Sequence, residues 1–227
     1  MVYWVRKIVA MFQTAFYRSL SVFFLLTLTG CTNQKSNKLP YYNDASFTPI
    51  FVTDITNVDN VITHKIADFT FKNQHNNNIS EKEIEGKIHV ANFIFTSCGS
   101  ICPTMTKHMQ RVSKVYSEDD GIVLLSYSVT PWIDSVKTLS NYTKNHGINN
   151  PNWHFLTGSK SKIYQLARQS YFAEESIGFS RDSTEFLHTE HFLLIDNNKR
   201  IRGIYNGTLA LEINQLIEDI AQLSTSL

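Results

Sequence analysis

Cysteine is scarce in this sequence: its 227 residues contain three, Cys31, Cys98 and Cys102. So few cysteines exclude a disulfide-rich scaffold, in which several bridges replace a large core. An excess of charge is also missing, because 21 Lys and Arg residues are balanced by 20 Asp and Glu residues. A net charge of +1 gives no electrostatic reason to expect a nucleic-acid partner. The length is sufficient for one domain with a sizeable core.

The first 30 residues contain no acidic residue, three basic residues and the apolar run LSVFFLLTL at positions 20–28. This run is too short to span a bilayer, and the pattern is typical of a secretory signal peptide. It ends in LTGC at positions 28–31, which resembles the bacterial lipobox, where a Cys becomes diacylated and then N-terminal. We therefore predict a signal peptide at residues 1–30 and a lipid anchor on Cys31. An uncleaved signal anchor that happens to end at a Cys is the alternative.

Removal of this signal peptide would change the net charge from +1 to −2, because it takes away three positive charges and no negative charge. The remaining domain would face the periplasm or another extracytoplasmic space, where disulfides form and persist. Residues 31–46 are polar with few large aliphatic side chains, and they are predicted to form a tether. The folded domain is predicted to cover residues 47–227.

Strand and helix patterns alternate along this domain. The predicted strands are IADFTF (66–71), KIHVANFIF (87–95), GIVLLSYSV (121–129), NWHFLTG (152–158), EHFLLID (190–196) and RIRGIYNG (200–207). The predicted helices begin near Pro103, at Asp134 as an N-cap, at Ser159 and at Leu209. The second of them is predicted to end at Gly147, and the last two strands are predicted to form a hairpin. This order predicts a thioredoxin-like α/β fold, with a central mixed sheet flanked by helices and an N-terminal extension.

Cys98 and Cys102 lie in the segment FTSCGSICPTMT, between a predicted strand and a predicted helix. Cysteines four residues apart at such a junction can approach closely enough for a disulfide, and they can equally converge on one soft metal ion. The N-terminus of the helix is expected to favour the thiolate form of both. Spacing alone does not decide between a redox pair, two ligands of a metal site and spare thiols.

A copper site would need a third ligand, and an imidazole is suitable for Cu(I). His108 follows Cys102 by six positions, which is roughly 240° around a helix, so its side chain is predicted to point elsewhere. His188 lies in the loop immediately before a late strand. His191 begins that strand and is predicted to lie outside the ligand set or at the surface.

The segment VANFIFTSCGSICPTMT, the later HTEHFLLID and the intervening SVTPWIDSVKTLSNYTKNHG together resemble the SCO/SenC family of copper proteins. The resemblance implies that Cys98, Cys102 and His188 are the copper ligands, holding Cu(I) and also Cu(II) with an added ligand such as water. Pro103 matches the proline of the family motif. Membership implies a membrane-tethered copper chaperone that helps to assemble the binuclear copper centre of cytochrome c oxidase subunit II.

Some family members are instead credited with thiol-disulfide exchange on the cysteines of that subunit, so Cys98 and Cys102 are also candidate catalytic residues of a redox pair. Enzymatic activity therefore stays open. One position departs from the family pattern: this chain has SVTP where SVDP is usual, so Thr130 replaces an acidic residue. Any role of that acid in supporting the site or docking a partner is thereby placed in doubt.

Three other functions fit the sequence less well. A general thioredoxin-like oxidoreductase would have C-x-x-C and a proline before the late strand, and both are missing from the sequence. A peroxiredoxin would need Pro at position 91 and Ser or Thr at position 95, where this chain has Ala91 and Phe95. A purely structural disulfide between Cys98 and Cys102 would close a very short loop, for which the entropic gain is small.

Overall fold

The fold is built on a five-stranded mixed sheet within the described residues, 39–173 and 189–225, of a computed structural model. The strands are β1 (Thr70–Lys72), β2 (Asn78–Ser80), β3 (Ile88–Ile94), β4 (Ile122–Ser128), β5 (Trp153–Leu156), β6 (His191–Ile195) and β7 (Ile201–Asn206). The longer helices are α1 (Ile101–Val115), α2 (Val136–Asn145), α3 (Lys160–Gln169) and α4 (Ala210–Ser224). The predicted signal peptide, Cys31 and His188 lie outside the described residues.

The central sheet has the strand order β5-β4-β3-β6-β7. Strands β3, β4 and β5 are parallel to one another, whereas β6 is antiparallel to both β3 and β7. Every residue of β3 and of β4 is buried, as expected for strands that are covered on both faces. The mixed α/β architecture predicted from the order of elements is therefore confirmed. The predicted first strand is shorter than expected and pairs with β2 in a separate two-stranded sheet.

Helix α1 follows β3 directly and starts at Ile101, so Pro103 lies in its first turn, as the sequence predicts. Met105, Met109 and Val112 recur on one face and are fully buried in the core beside β3 and β4. The amino end of α1 is thereby fixed at the carboxyl end of β3. None of the helices in the described ranges is long and apolar enough to cross a membrane.

The antiparallel register of β3 and β6 determines which loops share an edge of the sheet. Ala91 pairs with Leu193, and His89 pairs with Ile195. Because the two strands run in opposite directions, the amino end of β6 lies at the carboxyl end of β3. The chain leaves β3 toward Cys98 at this edge, and the segment before His191 enters β6 at the same edge.

Helix α2 begins differently from the sequence prediction, which placed Asp134 at the N-cap. The N-cap is Ser135, whose Oγ accepts a hydrogen bond from the backbone N–H of Thr138 at 3.2 Å. Asp134 is fully buried and bonds to loops at the end of the sheet, so its carboxylate is not available to the helix. The predicted end of α2 is confirmed, because Gly147 has a φ of 64°, a left-handed conformation that Gly adopts without strain.

The folded unit begins at Leu39 rather than at Phe47. The guanidinium of Arg202 donates to the backbone carbonyls of Leu39 at 2.7 Å and Pro40 at 2.9 Å. It also lies 3.8 Å from the ring centroid of Tyr41, within the range of a cation–π contact. The sequence predicts that residues 39–46 belong to the tether, because they contain few aliphatic side chains. Backbone carbonyls and an aromatic ring attach them to β7 instead.

Candidate functional site

The two cysteines occupy different environments at the amino end of α1. Cys98 is half-buried in the turn after β3, and its backbone N–H donates to the carbonyl of Phe95 at 3.2 Å. Cys102 is in the first turn of α1 and is 3% exposed. Both are free thiols in this structure, and each influences the pKa of the other.

The pKa of the Cys98 thiol is lowered from its ordinary value. Partial burial is the largest single influence and would raise the pKa, but hydrogen bonds to the sulfur together outweigh it. The donors are the backbone N–H groups of Cys102, Ser100 and Ile101 and the thiol of Cys102. Ser100 occupies the N-cap without a capping hydrogen bond from its side chain, so the thiolate takes the place of a cap.

Cys102 shows the opposite behaviour: its pKa is raised to about 12. Burial is the main cause, and the neighbouring Cys98 adds to it both by hydrogen bonding and by charge. The sequence predicted that the helix N-terminus would favour the thiolate form of both cysteines. For Cys102 this prediction is wrong in the absence of metal, because burial outweighs the helix N-terminus.

The difference between the pKa values of the two thiols predicts that Cys98 is modified in preference to Cys102. In the reduced protein without metal at pH 7, iodoacetamide should modify Cys98 at least about tenfold faster than Cys102, since the thiolate is the reactive form. Raising the pH toward 9 should increase the rate at Cys98 only until its thiol is fully ionised. A short labelling pulse followed by peptide mapping measures both rates. Equal labelling of the two cysteines would contradict the difference in their environments.

His188, the third predicted ligand, lies outside the described residues, so its position relative to the sulfur atoms is not described. Phe172 and His191, which lie before and after the segment 174–188, both pack against Phe47. The ring of Phe47 lies 6.2 Å from the ring of Phe172 and 6.5 Å from that of His191, measured between centroids and edge-on in both cases. His191 therefore packs against the N-terminal extension at the start of β6.

Other histidines are engaged elsewhere in the fold. His108 Nδ1 lies 2.7 Å from the carbonyl oxygen of Gly207, as expected from its predicted direction away from Cys102. His64 Nε2 lies 2.8 Å from the carbonyl oxygen of Ser170. Within residues 39–173 and 189–225, no three His, Cys, Asp or Glu side chains come together as a metal site.

A buried carboxylate beneath the Cys98 turn was missed by the sequence analysis. Asp134 is fully buried, and its oxygens accept hydrogen bonds from the hydroxyls of Thr96 at 2.5 Å, Ser128 at 2.6 Å and Thr130 at 3.0 Å. Thr130, which replaces the acid usual in the resembled family, is thus a hydrogen-bond donor to a neighbouring acid. The apparent N-cap position of Asp134 had concealed this arrangement.

Known proteins are similar to this chain over most of its length. The model of the SCO1/SenC family matches residues 59–225, which include both cysteines and the segment before β6. The chain belongs to the SCO1/SenC family. The Sco family is described as a family of cytochrome c oxidase assembly proteins. The SCO1 protein homolog of Bacillus subtilis is 32% identical over 166 residues, which cover 72% of this chain and 85% of the relative.

Solved structures confirm the thioredoxin-like fold of this Sco protein. BsSco superposes with a TM-score of 0.60 at 32% identity, covering 71% of this chain and 94% of that one. BsSco is described as having a disulfide switch and as a member of the Sco family of cytochrome c oxidase assembly proteins. A SCO1/SenC family lipoprotein of Bacillus anthracis gives 0.62 at 28% identity, with coverage of 71% and 95%. Copper-bound ScoI of Bradyrhizobium japonicum gives 0.55 at 21% identity, with coverage of 69% and 98%.

Proposed function

We propose that this chain binds Cu(I) through Cys98, Cys102 and His188 and delivers it to the binuclear copper centre of cytochrome c oxidase subunit II. The contact between two free thiols at the amino end of α1 carries this proposal. Sulfur donors are the ligands that Cu(I) prefers, and an imidazole is a suitable third. The register of β3 and β6 supports His188 as that ligand, because β6 starts at the sheet edge where Cys98 lies.

The cargo, the recipient and the location are supported by different observations. A relative with the same fold has been solved with copper bound, and another is described as belonging to a family of cytochrome c oxidase assembly proteins. The LTGC sequence at positions 28–31 supports lipidation of Cys31, which would hold the domain at a membrane of the cell envelope. A relative from Bacillus anthracis is described as a lipoprotein.

Binding of Cu(I) at this site requires the release of a proton. Thiols must be deprotonated to act as ligands, and the pKa of Cys102 is raised to about 12 without metal. Binding of Cu(I) at neutral pH therefore releases the Cys102 proton, and the apparent affinity rises with pH. A neutral His188 is required as well, so affinity falls further once that imidazole is protonated at low pH.

An anaerobic titration with Cu(I) tests the proposal directly. We expect the wild-type protein to take up one Cu(I) in competition with a chromophoric chelator that holds free Cu(I) at about nanomolar concentration or below, because a site with two thiolates favours this soft ion. Cys98→Ser and Cys102→Ser should each abolish this uptake. Cys31→Ser is the matched control, since it also removes a cysteine but should leave the stoichiometry unchanged. Absence of uptake by the wild-type protein would refute the copper proposal.

Thiol-disulfide exchange is the second candidate, in which the chain keeps the copper-ligand cysteines of subunit II reduced. The unequal pKa values of the two thiols favour it, because an accessible low-pKa thiolate attacks a disulfide and a buried thiol resolves the mixed disulfide. This activity requires Cys98 and Cys102 but not His188. Rapid exchange with a peptide disulfide by a protein that takes up no Cu(I) would make it the principal function.

A further inference from the structure

The Asp134 carboxylate lies where the loops after β3 and β4 meet. Besides the three hydroxyl donors, the backbone N–H of Thr96 donates to its Oδ2 at 3.2 Å. Four neutral donors therefore point at one fully buried carboxylate. A carboxylate has about four acceptor positions and no donor, so it satisfies all of them at once. An amide in its place would present an N–H group to at least one of these donors.

Thr96 is the donor that connects this carboxylate to the site. It is bonded twice, through its backbone N–H and its hydroxyl, and it lies in the turn that the Cys98 N–H closes on Phe95. The same turn leads into α1, which begins at Ile101 and is held in the core by the buried side chains of Met105 and Met109. The position of the Cys98 sulfur thus depends on two anchors, the helix on one side and Asp134 on the other.

We propose that Asp134 is a positioning residue for the thiol pair: its carboxylate holds Thr96, and through Thr96 the Cys98 turn, so that the Cys98 sulfur faces the N-terminal N–H groups of α1. Ser128 and Thr130 fix the carboxylate itself from the end of β4. The inference rests on the proposed function only in taking Cys98 and Cys102 as the functional residues. It holds whether they bind copper or exchange disulfides.

The rate at which iodoacetamide modifies Cys98 in the reduced, metal-free, full-length protein at pH 7 tests this role. Asp134→Asn should slow the reaction about three- to tenfold, because the sulfur loses hydrogen bonds that stabilise its thiolate. The direction of the change in rate distinguishes a positioning role from a purely electrostatic effect of the Asp134 charge. Removing a negative charge near a thiol without moving the turn would favour the thiolate and speed the reaction. An unchanged or faster rate in Asp134→Asn would therefore overturn the proposal.

Asp219→Asn is the matched control. Asp219 is also buried and also accepts hydrogen bonds, from the Tyr205 hydroxyl at 2.6 Å and from Gln215 Nε2 at 2.8 Å. Its substitution should lower stability without changing the rate at Cys98. A similar slowing in both variants would attribute the effect to general loosening of the fold and contradict a positioning role for Asp134.

A second pair of variants decides the question if Asp134→Asn does not fold. Thr96→Val and Thr130→Val each remove one hydroxyl donor from the same carboxylate, but only Thr96 lies in the Cys98 turn. We expect slower modification of Cys98 in Thr96→Val and a nearly wild-type rate in Thr130→Val, and equal effects would refute the route through Thr96. The assay contains no copper, so failure of wild-type protein to bind Cu(I) would end the copper proposal without affecting this one.

Discussion

His188→Ala is expected to weaken Cu(I) binding by on the order of 100-fold or more, since even loss of a residue that supports a metal ligand costs 10–100-fold. His191→Ala should weaken Cu(I) binding far less than His188→Ala, because all three proposed ligands remain. The His191 ring packs edge-on against the ring of Phe47, at the start of β6. The two histidines are three residues apart, which makes them a matched pair.

Competition with a chromophoric Cu(I) chelator under anaerobic conditions measures both affinities on one scale. The reduced state of Cys98 and Cys102 must be verified by thiol titration in each variant, because a disulfide would mimic the loss of a ligand. Equal losses in the two histidine variants would contradict the assignment of His188. A loss confined to His191→Ala would move the third ligand to the first residue of β6.

Asp196→Ala is expected to lower the free energy of unfolding by about 3–5 kcal/mol, the usual cost of leaving one member of a buried ion pair without its partner. Asp196 Oδ2 lies 3.2 Å from Nη1 of Arg202, and both side chains are buried. Asp196 Oδ1 also accepts from the backbone N–H groups of Asn198 and Arg200, at 3.0 Å each. The substitution therefore removes the β6–β7 turn contacts together with the ion pair.

Asp68→Ala provides the comparison for this effect. Asp68 pairs with Lys199 at 2.9 Å, but its side chain is 75% exposed, so its loss should cost less than about 1 kcal/mol. Urea denaturation of both variants under reducing conditions gives the two free energies and their m-values. A small loss of stability in Asp196→Ala would contradict this prediction. It would mean that the carbonyls of Leu39 and Pro40, to which the Arg202 guanidinium already donates, are sufficient partners for its buried charge.

The site was predictable from sequence to the extent that its features are local. The strand, the two cysteines and Pro103 all lie within positions 87–103, so a short segment specifies a strand-to-helix junction. The same holds for the β6–β7 hairpin and for the end of α2 at Gly147. The third ligand, about ninety residues away, came from the family resemblance and not from any local pattern.

Features that depend on distant residues were missed or predicted wrongly. The sequence offered Asp134 as a helix cap, since an acid before a helical pattern is a good cap, but in the fold its carboxylate bonds to Thr96, 38 positions earlier. The same limit applies to residues 39–46, whose attachment depends on Arg202 in β7. Such contacts have no signature in a window of neighbouring residues.

The sequence by itself therefore determined the order of strands and helices, the two cysteines at their junction and the family. The tertiary structure decided how the two cysteines differ: Cys98 accepts hydrogen bonds from the helix N-terminus at a half-buried position, whereas Cys102 is enclosed by the core. The physical reason is that a pKa reflects the surroundings of the charge, and the side chains that surround Cys102 come from strands and helices far apart in the chain.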